Sequence, residues 1–574
     1  MKRLLVFLKD YRKESILAPS FKMLEAFFEL LVPVAVTVII DKGINKNDPS
    51  KIWLMCGFML LLGIVGLISA LCAQFFAARA AVGFAAKLRS ALFGKIQSFS
   101  YSTTDSIGTS TLITRMTGDI ASVQTGVNMF LRLFMRSPFI VFGAMICAML
   151  IDIKLGLIFA ITIAILAVIV FGIMLISIAL HKKTQSRLDS IVSKVRSNYN
   201  GTRVIRVFNK QDSEINDFDD KIGALKKIQI FSGRISALMN PLTYIIINLA
   251  VIILIQKGAL TVNSGDISQG ELVALYNYMS QILVELIKLA SLIITLNKAA
   301  ASASRISDVL DTPVVKNEAK VDENDNTGYA VKFENVSFKY DKKSNGDMAI
   351  KDISFKAMPG QTIGIIGGTG SGKSTLANLI PGFYAPTCGN VFVMGSSPES
   401  ISKDIFGIVP QKATLFTGTV ASNLAWGKED ATNDDMWTAL DLACAKDFIE
   451  EKSKQLNEPI LQEGRNLSGG QRQRLTIARA LMRKPRILIL DDSSSALDYA
   501  TEARLRNNIS SLEYDPTVFI ISQRASSVMH ADLIIVLDDG EAVGMGTHSQ
   551  LLESCPVYRE IYDSQFSSGG ENNE

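Results

Sequence analysis

Gly367-Gly368-Thr369-Gly370-Ser371-Gly372-Lys373-Ser374 fits G-x-x-x-x-G-K-[ST], the spacing of a loop that cradles nucleotide phosphates. Its glycines let backbone N–H groups turn toward phosphate with no Cβ in the way. Lys373 can reach the β- and γ-phosphates, Ser374 can hold Mg²⁺, and a helix opening at Lys373 adds the positive end of its dipole. Thr369, Ser371 and Thr375 complete the set that faces the nucleotide. Gln361-Thr362-Ile363-Gly364-Ile365-Ile366 reads as the buried strand before the loop. Thr375-Leu376-Ala377-Asn378-Leu379-Ile380 reads as the helix after it, stopping at Pro381-Gly382. Strand before and helix after separate this stretch from an ordinary Gly- and Ser-rich turn. The implied cofactors are ATP and Mg²⁺.

Downstream, Ile487-Leu488-Ile489-Leu490-Asp491-Asp492 is a buried strand ending in two carboxylates. Asp491 is placed to hold Mg²⁺ through water, and Asp492 to orient the attacking water. Leu467-Ser468-Gly469-Gly470-Gln471 opens a helical run that reaches Arg483 before Pro485, with capping-box spacing from Ser468 to Gln471. Ser468 therefore heads a second anion site at a helix N-terminus. One domain has no need of two sites for one phosphate chain. The simple resolution is a dimer in which this helix caps the nucleotide held by the other subunit.

Upstream, the character changes. The chain has 574 residues, 48% of them hydrophobic, with a mean hydropathy of +0.26. A net charge of +4 on 59 basic and 55 acidic residues is too balanced to point to nucleic acid. Cys56, Cys72, Cys147, Cys388, Cys444 and Cys555 lie far apart with no C-x-x-C, so they read as free thiols rather than a disulfide or zinc framework. Residues 1–13 are basic and amphipathic, without the pattern of a cleavable signal peptide. Six apolar segments of bilayer-spanning length follow, at about 16–40, 53–76, 127–150, 155–180, 238–260 and 271–297. A soluble protein is excluded. The N-terminal segment and the two long connections, between spans two and three and spans four and five, hold clusters of Lys and Arg, whereas the other three connections are short. The positive-inside rule therefore places both termini and both long loops in the cytoplasm. Those loops have helical spacing, so the spans are expected to run on as helices beyond the membrane. Their turn-rich tips, Gly108 to Asp119 and Gly201 to Phe208, are expected to dock the motor. Charges inside spans default to pairing or function. Glu285 and Lys288 can pair on one helix face. Glu25 and Glu29 have no basic partner on the same turn and are read either as structural or as facing a substrate path.

The division that results is a membrane α-helical domain of six transmembrane helices at 1–300, a linker at 301–329, an α/β P-loop nucleotide-binding domain at 330–566 and a disordered tail at 567–574. The acidic, turn-rich Asp322-Glu323-Asn324-Asp325-Asn326 sits in the linker, and Val331 to Phe338 alternates like a strand.

On these motifs the chain resembles, over essentially its whole length, a half-transporter of the ATP-binding cassette (ABC) exporter family with the type IV fold. The resemblance implies that Tyr340 stacks on adenine, and that Gln411, in Val409-Pro410-Gln411, senses Mg²⁺ and contacts the membrane domain. It makes Leu467 to Gln471 the signature motif and Ser495-Ala496-Leu497-Asp498 the D-loop, and it likens the loop tips to coupling helices. Two positions depart from the family. The catalytic carboxylate, normally Glu, is Asp492, one methylene shorter. The switch histidine is Gln523, in Ile520-Ile521-Ser522-Gln523-Arg524, which hydrogen-bonds but carries no positive charge. Two such changes beside intact phosphate-binding residues imply a site that binds ATP and hydrolyses it slowly. The intact signature helix is expected to serve a competent site completed by a different half-transporter bringing Glu and His; a homodimer with two slow sites is the alternative. The expected function is ATP-driven export of a hydrophobic or amphipathic drug, lipid or peptide across a bacterial inner membrane. An exporter-fold importer of a metal chelate and an ATP-gated regulatory or channel-like subunit are the alternatives.

Overall fold

The computed structural model describes residues 4–314, 328–340 and 348–566. The acidic stretch 322–326 and the tail 567–574 lie outside them. The chain divides into two compact units, one of Met1–Ser98 with Ile107–Pro313 and one of Phe99–Ser106 with Val314–Glu574.

Among the described residues of the first unit, six helical segments are long and apolar enough to cross a membrane: Leu4–Ile44, Pro49–Gln97, Thr109–Ile151, Ile153–Asn200, Gln211–Ser264 and Gln269–Asp311. Helices of this length outrun the roughly 30 Å of a bilayer core, as the spacing in the long loops predicts. The short connections start new helices because each ends in a cap. Asp48 accepts from Lys51 N, with Pro49 in the first turn. Asp152 accepts from Leu155 N at 2.8 Å. Ser268 and Glu271 form a reciprocal capping box. The change of composition near Ala299 marks where the last helix turns polar, not where it ends, since it continues to Asp311. The spans pack on a core that includes Ala26, Ile140, Ala144, Phe159, Leu254, Leu275 and Met279. Tyr278, fully buried, donates to Leu30 O at 2.8 Å.

The membrane-depth carboxylates have a partner that the apolar windows concealed. Arg136, on the third span, donates from Nη1 to Glu285 Oε1 at 2.5 Å and from Nη2 to Glu29 Oε2 at 2.6 Å. Ser137 Oγ donates to the second Glu285 oxygen at 2.8 Å. Lys288 pairs with Glu285 at 2.9 Å as expected. Lys22 pairs with Glu25 at 2.6 Å, which corrects the reading of that glutamate as unpaired on its turn: residues three apart on a helix are neighbours. Lys22, Arg136 and Lys288 thus match Glu25, Glu29 and Glu285 one for one.

The first loop tip also shifts. Residues 109–119 are helical, and Asp119 is buried in an ion pair with Arg305 and with Arg115. The segment that belongs with the second unit is Phe99–Ser106. There Tyr101 stacks on Phe383 at 4.2 Å and Tyr384 donates to Asp105. The second tip is the short helix Thr202–Val207, with Val204, Val207 and Phe208 exposed.

The second unit holds strands β1 (Val331–Phe338), β2 (Ile350–Ala357), β3 (Thr362–Gly367), β4 (Cys388–Val393), β5 (Phe406–Val409), β6 (Gly418–Thr419), β7 (Pro459–Ile460), β8 (Ile487–Asp491), β9 (Thr517–Ser522), β10 (Leu533–Asp538) and β11 (Glu541–Gly546). A six-stranded sheet runs β11-β10-β3-β9-β8-β5, parallel from β10 to β5 with β11 antiparallel at its edge. Its inner strands are buried on both faces, hence the run Ile487 to Leu490 in β8 and Ile363, Ile365 and Ile366 of β3. A three-stranded antiparallel sheet, β2-β1-β4, and the pair β6-β7 complete the unit.

Candidate nucleotide site

Four neighbouring parallel strands deliver the site from their carboxyl ends, where open α/β sheets bind ligands. β3 ends at Gly367 and opens the glycine loop. β9 ends at Ser522, one residue before Gln523. β8 ends at Asp491, with Asp492 next, and β5 ends at Val409, two before Gln411. One cavity of about 320 Å³ results, lined by Tyr340, Ala349, Thr369, Gly370, Gly372, Lys373, Ser374, Thr375, Gln411, Asp491, Asp492, Ile521, Ser522 and Gln523.

The loop's glycines are required by more than flexibility. Gly372 has φ +97°, and a Cβ there would meet Ala349 O at 2.5 Å. Gly367 lies against Leu537 O, where a Cβ would come to 2.1 Å. Lys373 opens the helix Lys373–Leu379. Its Nζ donates to Gly367 O at 2.9 Å and to Gly368 O at 2.5 Å, and lies 3.5 Å from Ser371 Oγ. Burial pulls this ammonium below its ordinary pKa, while Asp492 and Asp491 pull the other way.

Ser374 Oγ donates to Asp491 Oδ1 at 3.0 Å. Burial raises the Asp491 carboxyl above the usual range; Asp492 adds to that, and Ser374 and Lys373 oppose it. Two hard oxygens side by side, one of them a carboxylate strained by desolvation, are the donor chemistry Mg²⁺ takes. With a cradle that a Cβ would fill beside them, the residues fit a magnesium nucleotide. Gln411 Nε2 lies 3.5 Å from Asp492 Oδ2. Asp492 adopts φ +47°, a left-handed conformation in which Asp is among the tolerated residues, and its N–H donates to Ile521 O at 2.9 Å. Tyr340 is half-exposed at the cavity, with its hydroxyl 3.0 Å from Thr375 Oγ1.

The remaining predicted residues stand apart from this cavity. Ser468 caps the helix Gly469–Leu481 through the reciprocal box with Gln471 that the spacing predicts: Gln471 N donates to Ser468 Oγ at 3.3 Å, and Ser468 N to Gln471 Oε1 at 3.0 Å. Gly470 packs where a Cβ would come within 2.8 Å of Ala496 O, so Leu467 to Gln471 rests on the stretch leading to Asp498. Asp498 caps the helix Tyr499–Ser510 by accepting from Thr501 N at 2.9 Å, and that bond holds its carboxyl below the usual range. Ala349 lines the cavity although no motif flags it. An alanine between strands carries no sequence signal, and its place follows only from the close approach of Gly372.

The family description "ABC transporter transmembrane region" matches residues 15–286, and "ABC transporter" matches residues 350–495. The uncharacterized ABC transporter ATP-binding protein YfiB of Bacillus subtilis is 36% identical over 575 residues, 99% of each chain. An uncharacterized ABC transporter ATP-binding protein of Mycobacterium tuberculosis is 34% identical, over 98% of this chain and 97% of that one. Among solved structures, a bacterial Atm1-family ABC exporter with ATP bound superposes with a TM-score of 0.81 at 22% identity, covering 98% of this chain and 99% of that one. At that identity the likeness establishes the exporter fold.

Proposed function

The chain belongs to the ABC transporter family and is a multi-pass membrane protein with an ATP-binding domain; on that premise we propose that it is the slow-site half of a heterodimeric exporter. Its cargo is a hydrophobic or amphipathic drug, lipid or peptide. Its membrane is a bacterial inner membrane, with both termini and the nucleotide unit in the cytoplasm. One observation carries this reading. Asp492 and Gln523 line the same cavity as Lys373, Ser374 and Asp491, which supports reading both departures from the family as facing the γ-phosphate.

The glycine loop, Lys373 and Thr375 bind the phosphates, Tyr340 stacks on the base, and Ser374, Asp491 and Gln411 hold the metal. When bound, Mg²⁺ offsets charge on the phosphate oxygens. Asp492, set back by about 1.5 Å relative to a glutamate, leaves the attacking water out of near-attack geometry, a misplacement that lowers rates by roughly 10²-fold. Gln523 donates to phosphate but supplies no positive charge. Leu467 to Gln471 and Asp498, which do not line this chain's own cavity, serve the partner half-transporter's nucleotide. The exposed Val204, Val207 and Phe208 of the second tip suit docking on that partner. Closure of the two nucleotide units on ATP would switch the spans from inward- to outward-facing.

The test is ATP hydrolysis by the purified chain, alone and with a candidate partner, beside Asp492→Glu with Gln523→His. Low activity alone that rises at least about tenfold with the partner or the restoring pair supports the reading. Brisk activity by the unaltered chain alone sinks it and makes a homodimer the machine. The same two residues would suit an ATP-gated regulator that does not pump. Substrate flux into inverted vesicles that stops when hydrolysis is blocked excludes that alternative, and its direction separates export from uptake.

A further inference from the structure

The loop that carries Gln523 leaves the sheet at Ser522, the last residue of β9, so its backbone groups have no strand to bond to. Arg524 N is met by Ser522 Oγ at 3.0 Å, and two more groups are met from the C-terminal helix Pro556–Phe566. Gln565 Nε2 donates to Gln523 O at 2.8 Å, and Gln565 Oε1 accepts from Ala525 N at 2.8 Å. Donor and acceptor of a single side-chain amide thus straddle the switch residue.

We propose that Gln565 is a positioning residue for nucleotide recognition, holding Gln523 where its side chain reads the γ-phosphate. The proposal rests on the reading of Gln523 as phosphate-facing. Two further observations make the clamp a stiff one. The helix bearing Gln565 is seated: Tyr558 is fully buried in one core with Ile366, Ala525, Val528 and Val536, so the helix and the back of the switch loop share packing. The other flank is also held. The Arg524 guanidinium donates to Ser495 O at 3.4 Å, lies 3.8 Å from the buried Glu502 carboxylate and sits 5.6 Å over the Tyr499 ring. Glu502 in turn accepts from Ser527 Oγ at 2.5 Å. Gln523 therefore lies between a backbone pinned by Gln565 and a neighbour pinned to the stretch that ends in Asp498. The clamp grips backbone, so it would place a histidine at 523 equally well.

The test uses the full-length chain in lipid nanodiscs and measures MgATP and MgADP affinities by displacement of a fluorescent nucleotide. The variants are Gln565→Leu, Gln565→Glu, Gln523→Ala and the pair Gln523→Ala with Gln565→Leu. Gln565→Leu is expected to lower the ATP-to-ADP affinity ratio roughly three- to tenfold, the weight of one hydrogen bond, with ADP affinity unchanged. Gln565→Glu keeps the acceptor for Ala525 N–H and falls between. Added to Gln523→Ala, Gln565→Leu has no further effect, the signature of action through Gln523. ATP and ADP weakening together, or a further fall of the ratio in the Gln523→Ala background, overturns the proposal. A fall in Gln523→Ala with none in Gln565→Leu or Gln565→Glu overturns it while leaving the phosphate-facing reading intact. An unchanged ratio in Gln523→Ala sinks both. If Gln565→Leu does not fold, Gln565→Glu carries the same comparison.

Discussion

Gly372 and Asp491 show what single residues contribute at the nucleotide cavity. Gly372→Ala meets two penalties at once, a left-handed backbone and a contact with Ala349 O. The change is expected to lower stability by about 1–3 kcal/mol and to remove MgATP binding, read by thermal unfolding with and without nucleotide. For Asp491 the sign follows from its raised pKa. Burial disfavours the ionised carboxyl, so folding is penalised above that pKa and relieved as pH falls through it. Mg²⁺ takes the ionised form. The extra thermal stability that Mg²⁺ adds to the ATP complex should therefore shrink as pH falls from neutral into the acidic range, and Asp491→Asn should abolish it at every pH. A Mg²⁺ increment that is flat with pH would remove Asp491 from the metal site. The gathering of Lys373, Ser374 and Asp491 at one cavity was legible in the chain because their motifs fix the spacing of strand, loop and helix. Gln565 was not. A lone glutamine near a C-terminus carries no signal until the fold brings it to the switch loop.

At the scale of elements, the third span shows where hydropathy misleads. Its window averages as apolar although it contains Arg132 and Arg136, and Arg136 is buried between Glu29 and Glu285. Averaging over a span hides isolated charges, and only tertiary contact reveals that helices one, three and six share an ion network. Arg136→Ala leaves Glu285 buried with a weaker set of partners and is expected to cost about 3–5 kcal/mol, seen as a large fall in unfolding temperature in detergent. Glu29→Gln should cost far less, because the Glu29 side chain is 41% exposed. Equal losses for the two would mean that the burial of Glu285 adds nothing to the cost. The first loop tip misled for a related reason. Turn-forming residues near Gly108 pointed to a loop apex, whereas Tyr101 and Asp105, which meet Phe383 and Tyr384, carry no turn signal.

For the whole molecule, the two units were legible because their sequences follow different rules: long apolar stretches in one, buried strands alternating with capped helices in the other. The boundary was less so, since the last helix keeps its periodicity after its hydrophobicity has gone. The orientation proposed from Lys and Arg counts has a direct check. Cys388 is exposed on the nucleotide unit, and Asn47 lies in the turn between the first two spans. A membrane-impermeant thiol reagent on intact cells should label Asn47→Cys and spare Cys388; the reverse pattern inverts the topology.

The second and fourth spans are single helices of 49 and 48 residues, about 70 Å of continuous rod crossing an apolar layer less than half as thick. Such a rod is a lever arm. A tilt of about 10° swings an end 70 Å away by roughly 12 Å. Leverage works in both directions, so the thickness of the surrounding lipid, by setting the tilt of the rods, becomes a load on their far ends. Turnover of ATP by the assembled transporter should then vary with acyl-chain length in reconstituted membranes of constant headgroup, as an engine's speed varies with its gearing.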